Sequence, residues 1–171
     1  DAIMQNSDQW QATLEKHHTL RIRYQTFIDY SEFTTLSKPS ISEVYPEYTY
    51  LKYGHRLELL RILLFDRNRE SSIARSILFE DMVKLRQQLT VGDNIIHKVF
   101  FSMLISNDLD VNLAMKDAEI SGSDVEIALL NAVEMDLESS IIREFYIGYS
   151  LYKGLDRHPE MLEEGGYLPG W

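Results

Sequence analysis

Cysteine is absent from the 171 residues, glycine and proline are scarce at 8 and 4, and no apolar run is long enough to cross a membrane. Each absence removes a class of function. Without thiols there is no cysteine nucleophile, no cysteine-based zinc site and no disulfide scaffold, and the lack fits an oxidising compartment somewhat better than the cytosol. Residues 145–152 run without a charge, but they include Gly148 and Ser150 and stop far short of the roughly 18–20 apolar residues of a span. Positive charge is also in deficit. The 17 Lys and Arg against 27 Asp and Glu leave a formal charge of −10, which repels phosphate backbones and anionic headgroups and excludes a nucleic-acid partner. No serine sits in a nucleophile-elbow context, no glycine-rich loop can cradle phosphate and no dinucleotide fingerprint is present, so hydrolase, kinase and dehydrogenase chemistry lack their minimal parts. No cofactor is implied. Asp1 is not an initiator methionine and follows no basic, apolar leader, so the chain is expected to be a processed piece of something longer.

What remains is the composition of one globular domain, 44% apolar and 26% charged, with 10 Tyr, 7 Phe and 2 Trp. Its apolar positions recur at helical spacing. Ser7 or Asp8 can cap a first helix running to near Tyr30, with Trp10, Leu14, Tyr24 and Ile28 on one stripe. Residues 31–48 hold Pro39 and Pro46 among Ser and Thr and read as an irregular connection. A second helix begins near Tyr50. Its Tyr53, Leu57, Leu60 and Leu64 form one stripe while Leu59, Ile62, Leu63 and Phe65 fill most of the remaining circumference, which predicts a central helix packed on two sides. The short polar link 66–70 predicts an antiparallel third helix carrying Ile73, Ile77, Leu78, Met82, Leu85 and Leu89. After Gly92, Asp93 can cap a fourth helix through Leu104, and Asn107 or Asp108 a short fifth one to about Lys116. Leu130, Val133, Leu137, Ile141, Phe145 and Tyr152 predict one long helix, or two with a break near Met135, and residues 154–171 read as an irregular tail. No period-2 strand and no repeat occurs. The expected fold is an all-α single domain over 1–171, six or seven antiparallel helices arranged as hairpins.

Four stretches carry a resemblance: Gly54-His55-Arg56-Leu57, residues 78–89 with Asp81 and Arg86, Gly92-Asp93-Asn94-Ile95-Ile96-His97-Lys98, and the closing Tyr167-Leu168-Pro169-Gly170-Trp171. Together they resemble a group of uncharacterised proteobacterial proteins with an N-terminal membrane anchor and a helical periplasmic domain, over residues 50–171. The resemblance implies an anchor upstream of Asp1, chain continuing beyond Trp171, and a periplasmic domain tethered to the inner membrane, with the cytoplasm as the alternative. It implies no activity.

Several constellations could carry chemistry. Asp108-x-Asp110-x-Asn112 with Glu119 reproduces calcium-loop ligand spacing, but Leu113 stands where the sharp turn needs glycine and Lys116 would oppose the ion. An ordered metal site is therefore not expected. Residues 107–138, with nine carboxylates against the single Lys116, should attract divalent cations only loosely. Glu15-x-x-His18 has di-iron spacing without the second such motif a bundle requires, and Asp93 with His97 is a lone i,i+4 pair. His17 and Arg21 share the stripe of the first helix, and Glu134 sits on an apolar stripe where a carboxylate needs a partner. Lys98, flanked by Phe101 and Ile105, is expected to snorkel outward. Tyr146, Tyr149 and Tyr152, like Tyr45, Tyr48, Tyr50 and Tyr53, offer contact area at low entropy cost. The leading expectation is a non-enzymatic, membrane-tethered extracytoplasmic domain that binds a protein partner or self-associates through its tyrosines. The alternative is a sensory domain that takes a small ligand between helices, anchored by His17, Arg21 and Glu134.

Overall fold

The apolar spacing folds into helices wherever the structure, a computed structural model, describes the chain: residues 6–30, 39, 47–115 and 130–157. Among these residues there are six helices and no strand: α1 (Ser7–Lys16), α2 (His18–Ile28), α3 (Tyr48–Arg67), α4 (Ser71–Val91), α5 (Ile95–Ala114) and α6 (Glu138–Arg157). The protein is an all-α single domain. Most of the irregular connection, the segment around Gly122, and the tail beyond Arg157 lie outside the described residues.

As its apolar circumference predicts, α3 is central and lies against α1, α2, α4 and α5. It reverses into α4 through a tight turn in which Arg69 takes a left-handed conformation (φ 65°), Arg69 N–H donates to Asp66 O and Glu70 N–H donates to Phe65 O. Those two bonds satisfy carbonyls that the helix end would leave unpaired. A Cβ on Gly54 would collide with the Cβ of Tyr24, so glycine is what lets α2 and α3 approach closely at that point.

Three boundaries differ from the sequence reading. The first helix is interrupted at His17 (φ −107°, ψ 19°), in the turn after the Thr13 hydroxyl donates back to Gln9 O at 2.8 Å, a bond that bends helices. Asn94 rather than Asp93 caps α5, its Oδ1 accepting from His97 N–H at 2.7 Å, while Asp93 pairs with Arg143 of α6. The predicted fourth and fifth helices are one, because neither Asn107 nor Asp108 starts a new helix and no Gly or Pro interrupts the run. Lys98 does not snorkel: it is buried and its Nζ donates to Leu89 O at 2.7 Å, near the end of α4.

The core divides in two. Tyr24, Ile28, Leu85, Leu89, Phe101, Leu104 and Ile105 form one apolar cluster, and Leu59, Ile62, Ala74, Leu78, Met82 and Met115 form the other. Burial of each large side chain contributes about 1.5–3 kcal/mol, so both clusters hold the bundle together. Polar residues fill the layer between them.

Candidate functional site

At the level between the two apolar clusters, each of the three central helices turns an ionisable residue toward the core. On α3, His55 is one turn from Leu51 and one from Leu59; on α4, Asp81 falls between Leu78 and Leu85; on α5, Asp108 follows Leu104 by one turn and precedes Met115. The equal spacing stacks the three in one buried layer. His55 Nε2 and Asp108 Oδ1 share a proton across 2.6 Å, and Nε2 lies 3.8 Å from Asp81 Oδ2. Tyr24 of α2 completes the layer, its hydroxyl donating to Asp81 Oδ2 at 2.7 Å and its ring tilted against the imidazole at 5.5 Å. Among the described residues, Asp108 Oδ2 and His55 Nδ1 are buried without a hydrogen-bond partner.

Beside this layer, Glu58 accepts from Arg21 and Gln25 of α2, each at 3.1 Å, and from Arg61 one turn further along α3. The arginines hold its carboxyl below the usual range against the opposing effect of burial. Asp81 and Asp108 have no such cation. Burial, and for Asp81 the neighbouring Asp108, pushes Asp81 up to about 7; burial and Glu58 push Asp108 up to about 8. Burial lowers His55 to about 4 despite the carboxylates around it. The layer therefore disfavours net charge and holds protons near neutrality. Its chemistry is that of two carboxyls and a neutral imidazole converging on one point, which can relay a proton or receive a cation. A cleft of about 260 Å³ leads to it, lined by Gln25, Glu58, Arg61, Asp81 and Lys84 among others.

A second feature lies on the outside. α6 packs chiefly against α5 and turns Ile141, Phe145, Tyr149 and Tyr152 to solvent, exposed by 56%, 70%, 49% and 69%. Gly148 stands in the middle of that face, with nothing within 4 Å of where its Cβ would be.

The residues singled out by sequence scatter. His17, between α1 and α2, lines an apolar cleft of about 420 Å³ with Trp10, Leu20, Tyr53 and Leu57. Arg21 is committed to Glu58 and lines a different cleft. Glu134 lies in the turn before α6, buried, and receives Arg86 of α4 through two bonds of 2.7 and 2.9 Å plus Asn131 N–H. The three are not brought to one cavity. Tyr146 and Tyr149 are exposed on α6, as are Tyr50 and Tyr53 on α3, whereas Tyr48 is half-buried against Phe100. Asp108, Asp110 and Asn112 are on helix α5 rather than on a loop, with Asp108 turned inward and Asp110 outward; Glu119 lies outside the described residues. Sequence reasoning picked Asp108 by its neighbours and missed its partners. The signal was present, since His55, Asp81 and Asp108 each interrupt an apolar stripe at helical spacing.

Among the described residues, no helix is long and apolar enough to cross a membrane. No family model, curated protein or solved structure matches the chain.

Proposed function

We propose that the chain is a non-enzymatic, extracytoplasmic helical domain that binds a protein partner through the exposed face of α6. The observation that supports it is the face itself: four large apolar or aromatic side chains along one side of one helix stand in water, around a glycine that leaves room for a partner's backbone. Aromatic side chains are enriched in such contacts, and tyrosine is among the residues that carry most of their energy. Charge selects the partner. At −10 per chain, two copies repel, while α6 itself balances Glu138, Glu144 and Asp156 against Arg143, Lys153 and Arg157, so the face suits a different protein with an apolar groove. Tethering to a membrane outside the cytoplasm follows the resemblance of the sequence, and protease added to intact spheroplasts tests it: digestion of the domain supports the location and protection overturns it.

A photo-crosslinking residue at position 145 or 149, introduced in the native cells, tests the docking face. The expected result is one protein product from these positions and none from exposed Gln87. The purified product should bind the domain directly, and not at all after Phe145→Ser with Tyr149→Ser. Identical products from all positions, or crosslinks only between copies of this chain, would overturn the proposal.

A further inference from the structure

The buried layer between the two apolar clusters has a use that protein docking does not require. We infer that His55, Asp81 and Asp108 form a binding site for one divalent transition-metal ion, with His55 Nε2 and one carboxylate oxygen from each aspartate as ligands. These three are the one group of potential metal-ligating side chains that converges among the described residues, their ligand atoms all lying within 4.8 Å of one another. An ion with bonds of about 2.0–2.2 Å holds its ligands roughly 3–3.5 Å apart. The Asp81 contact at 3.8 Å is near that value, and the 2.6 Å contact to Asp108 opens to it once the shared proton is displaced to solvent.

Charge points the same way. Once the ion has displaced their protons to solvent, two aspartates and a neutral imidazole sum to −2, which the divalent ion cancels within a layer where unbalanced charge is expensive. The buried Asp108 Oδ2, which has no hydrogen-bond partner, is free to turn toward the ion. Tyr24 supplies the outer support, its hydroxyl fixing the orientation of Asp81. Mixed nitrogen and oxygen ligands without sulfur suit zinc, manganese or iron rather than copper(I), and the imidazole disfavours calcium and magnesium. Asp81, the least enclosed of the three, borders the cleft, whose lining balances Asp29, Glu58 and Glu80 against Arg61 and Lys84.

Purified protein is stripped with a chelator, titrated separately with Zn²⁺ and Mn²⁺ at about 0.15 M salt to suppress loose binding to the acidic surface, and assayed for bound metal. The expected result is one Zn²⁺ or Mn²⁺ per chain, retained through gel filtration, with affinity falling at least tenfold in Asp108→Asn and His55→Gln and unchanged in the surface control Asp110→Asn. Should the inward-facing variants fail to fold, the wild-type protein decides. Co²⁺ substitution should give a visible absorption band that Zn²⁺ abolishes, and Zn²⁺ should perturb the His55 ring signals in NMR. Retention below about a fifth of an equivalent, equal loss in Asp110→Asn, or bound metal with no effect on His55 would overturn the inference and leave a purely hydrogen-bonded layer.

Discussion

α3 and α6 are the same length, 20 residues, and both are rich in leucine, isoleucine and aromatic side chains, yet they invert each other's use of polarity. α3 buries its polar groups: His55 and Glu58 are enclosed together with Leu59 and Ile62 where four helices meet it. α6 exposes its apolar groups and buries Ser140. A buried polar layer and an exposed apolar face are both costly in isolation, so each marks a place where something other than folding sets the residue choice. The comparison also separates roles. α3 organises the bundle, whereas α6 rests on it.

The largest effect should come from α3. Ile62→Ala removes a fully enclosed side chain and is expected to cost about 2–5 kcal/mol in urea unfolding, whereas Ile141→Ala on α6 should change stability by less than about 0.5 kcal/mol. Equal losses at the two sites would erase the distinction.

Next comes acid. His97, which packs edge-on against Tyr48 at the start of α3, is enclosed, with its Nε2 3.2 Å from Gln88 O; burial lowers it to about 4, against the raising effect of Asp93 and with that of Lys98. The unfolded chain takes up the proton near 6.5, so between about 6.5 and 4 unfolding binds a proton that the folded state refuses. The stability His97 contributes is therefore complete above about 6.5, is lost as pH falls through that window, and totals roughly 3 kcal/mol. The difference in unfolding free energy between the wild type and His97→Gln, followed from pH 7.5 to 4, should shrink by that amount; a constant difference would show that His97 takes up its proton equally readily in the folded and unfolded chain. Acid should thus loosen the contacts that α5 makes through His97 with α3 and α4.

Gly54→Ala should cost about 1–3 kcal/mol, since the new methyl group meets the Cβ of Tyr24, which cannot swing aside. Thermal denaturation measures the loss, and a shift in the Tyr24 ring signals should accompany it. Gly148→Ala, with open space around it, should stabilise α6 slightly by removing a flexible residue from a helix interior, by about 0.5–1 kcal/mol, while weakening partner binding.

These differences were unequally legible in the sequence. The central place of α3 could be read from Tyr53, Leu57, Leu60 and Leu64 with Leu59 and Ile62 beside them, because burial on two sides leaves apolar residues around the whole helix. The merging of two predicted helices into α5 could not be read from Asn107 and Asp108, which resemble caps until Asp108 is seen to spend its side chain on His55, 53 positions upstream. Glu134 was correctly expected to need a partner, but Arg86 lies 48 positions away, and no local spacing encodes that distance. The buried layer failed to register for the same reason. A polar residue that interrupts an apolar stripe is a signal on each helix, but which of His55, Glu58, Asp81, Gln88, His97 and Asp108 meet is set only when packing aligns the stripes. Tyr146 and Tyr149 were expected on a contact surface and are exposed, but the exposure of Phe145 was invisible, since a core stripe and a docking stripe share one periodicity.

The central claim is that the apolar face of α6 serves something outside the fold, and unfolding of Phe145→Ser with Tyr149→Ser tests it most directly. With Phe145 exposed by 70%, and Tyr149 by 49% with Lys153 of its own helix over the ring, the account predicts an unfolding free energy within about 1 kcal/mol of wild type and an unchanged denaturant slope. A loss of about 2 kcal/mol or more would contradict it, because it would mean that the chain itself covers these side chains.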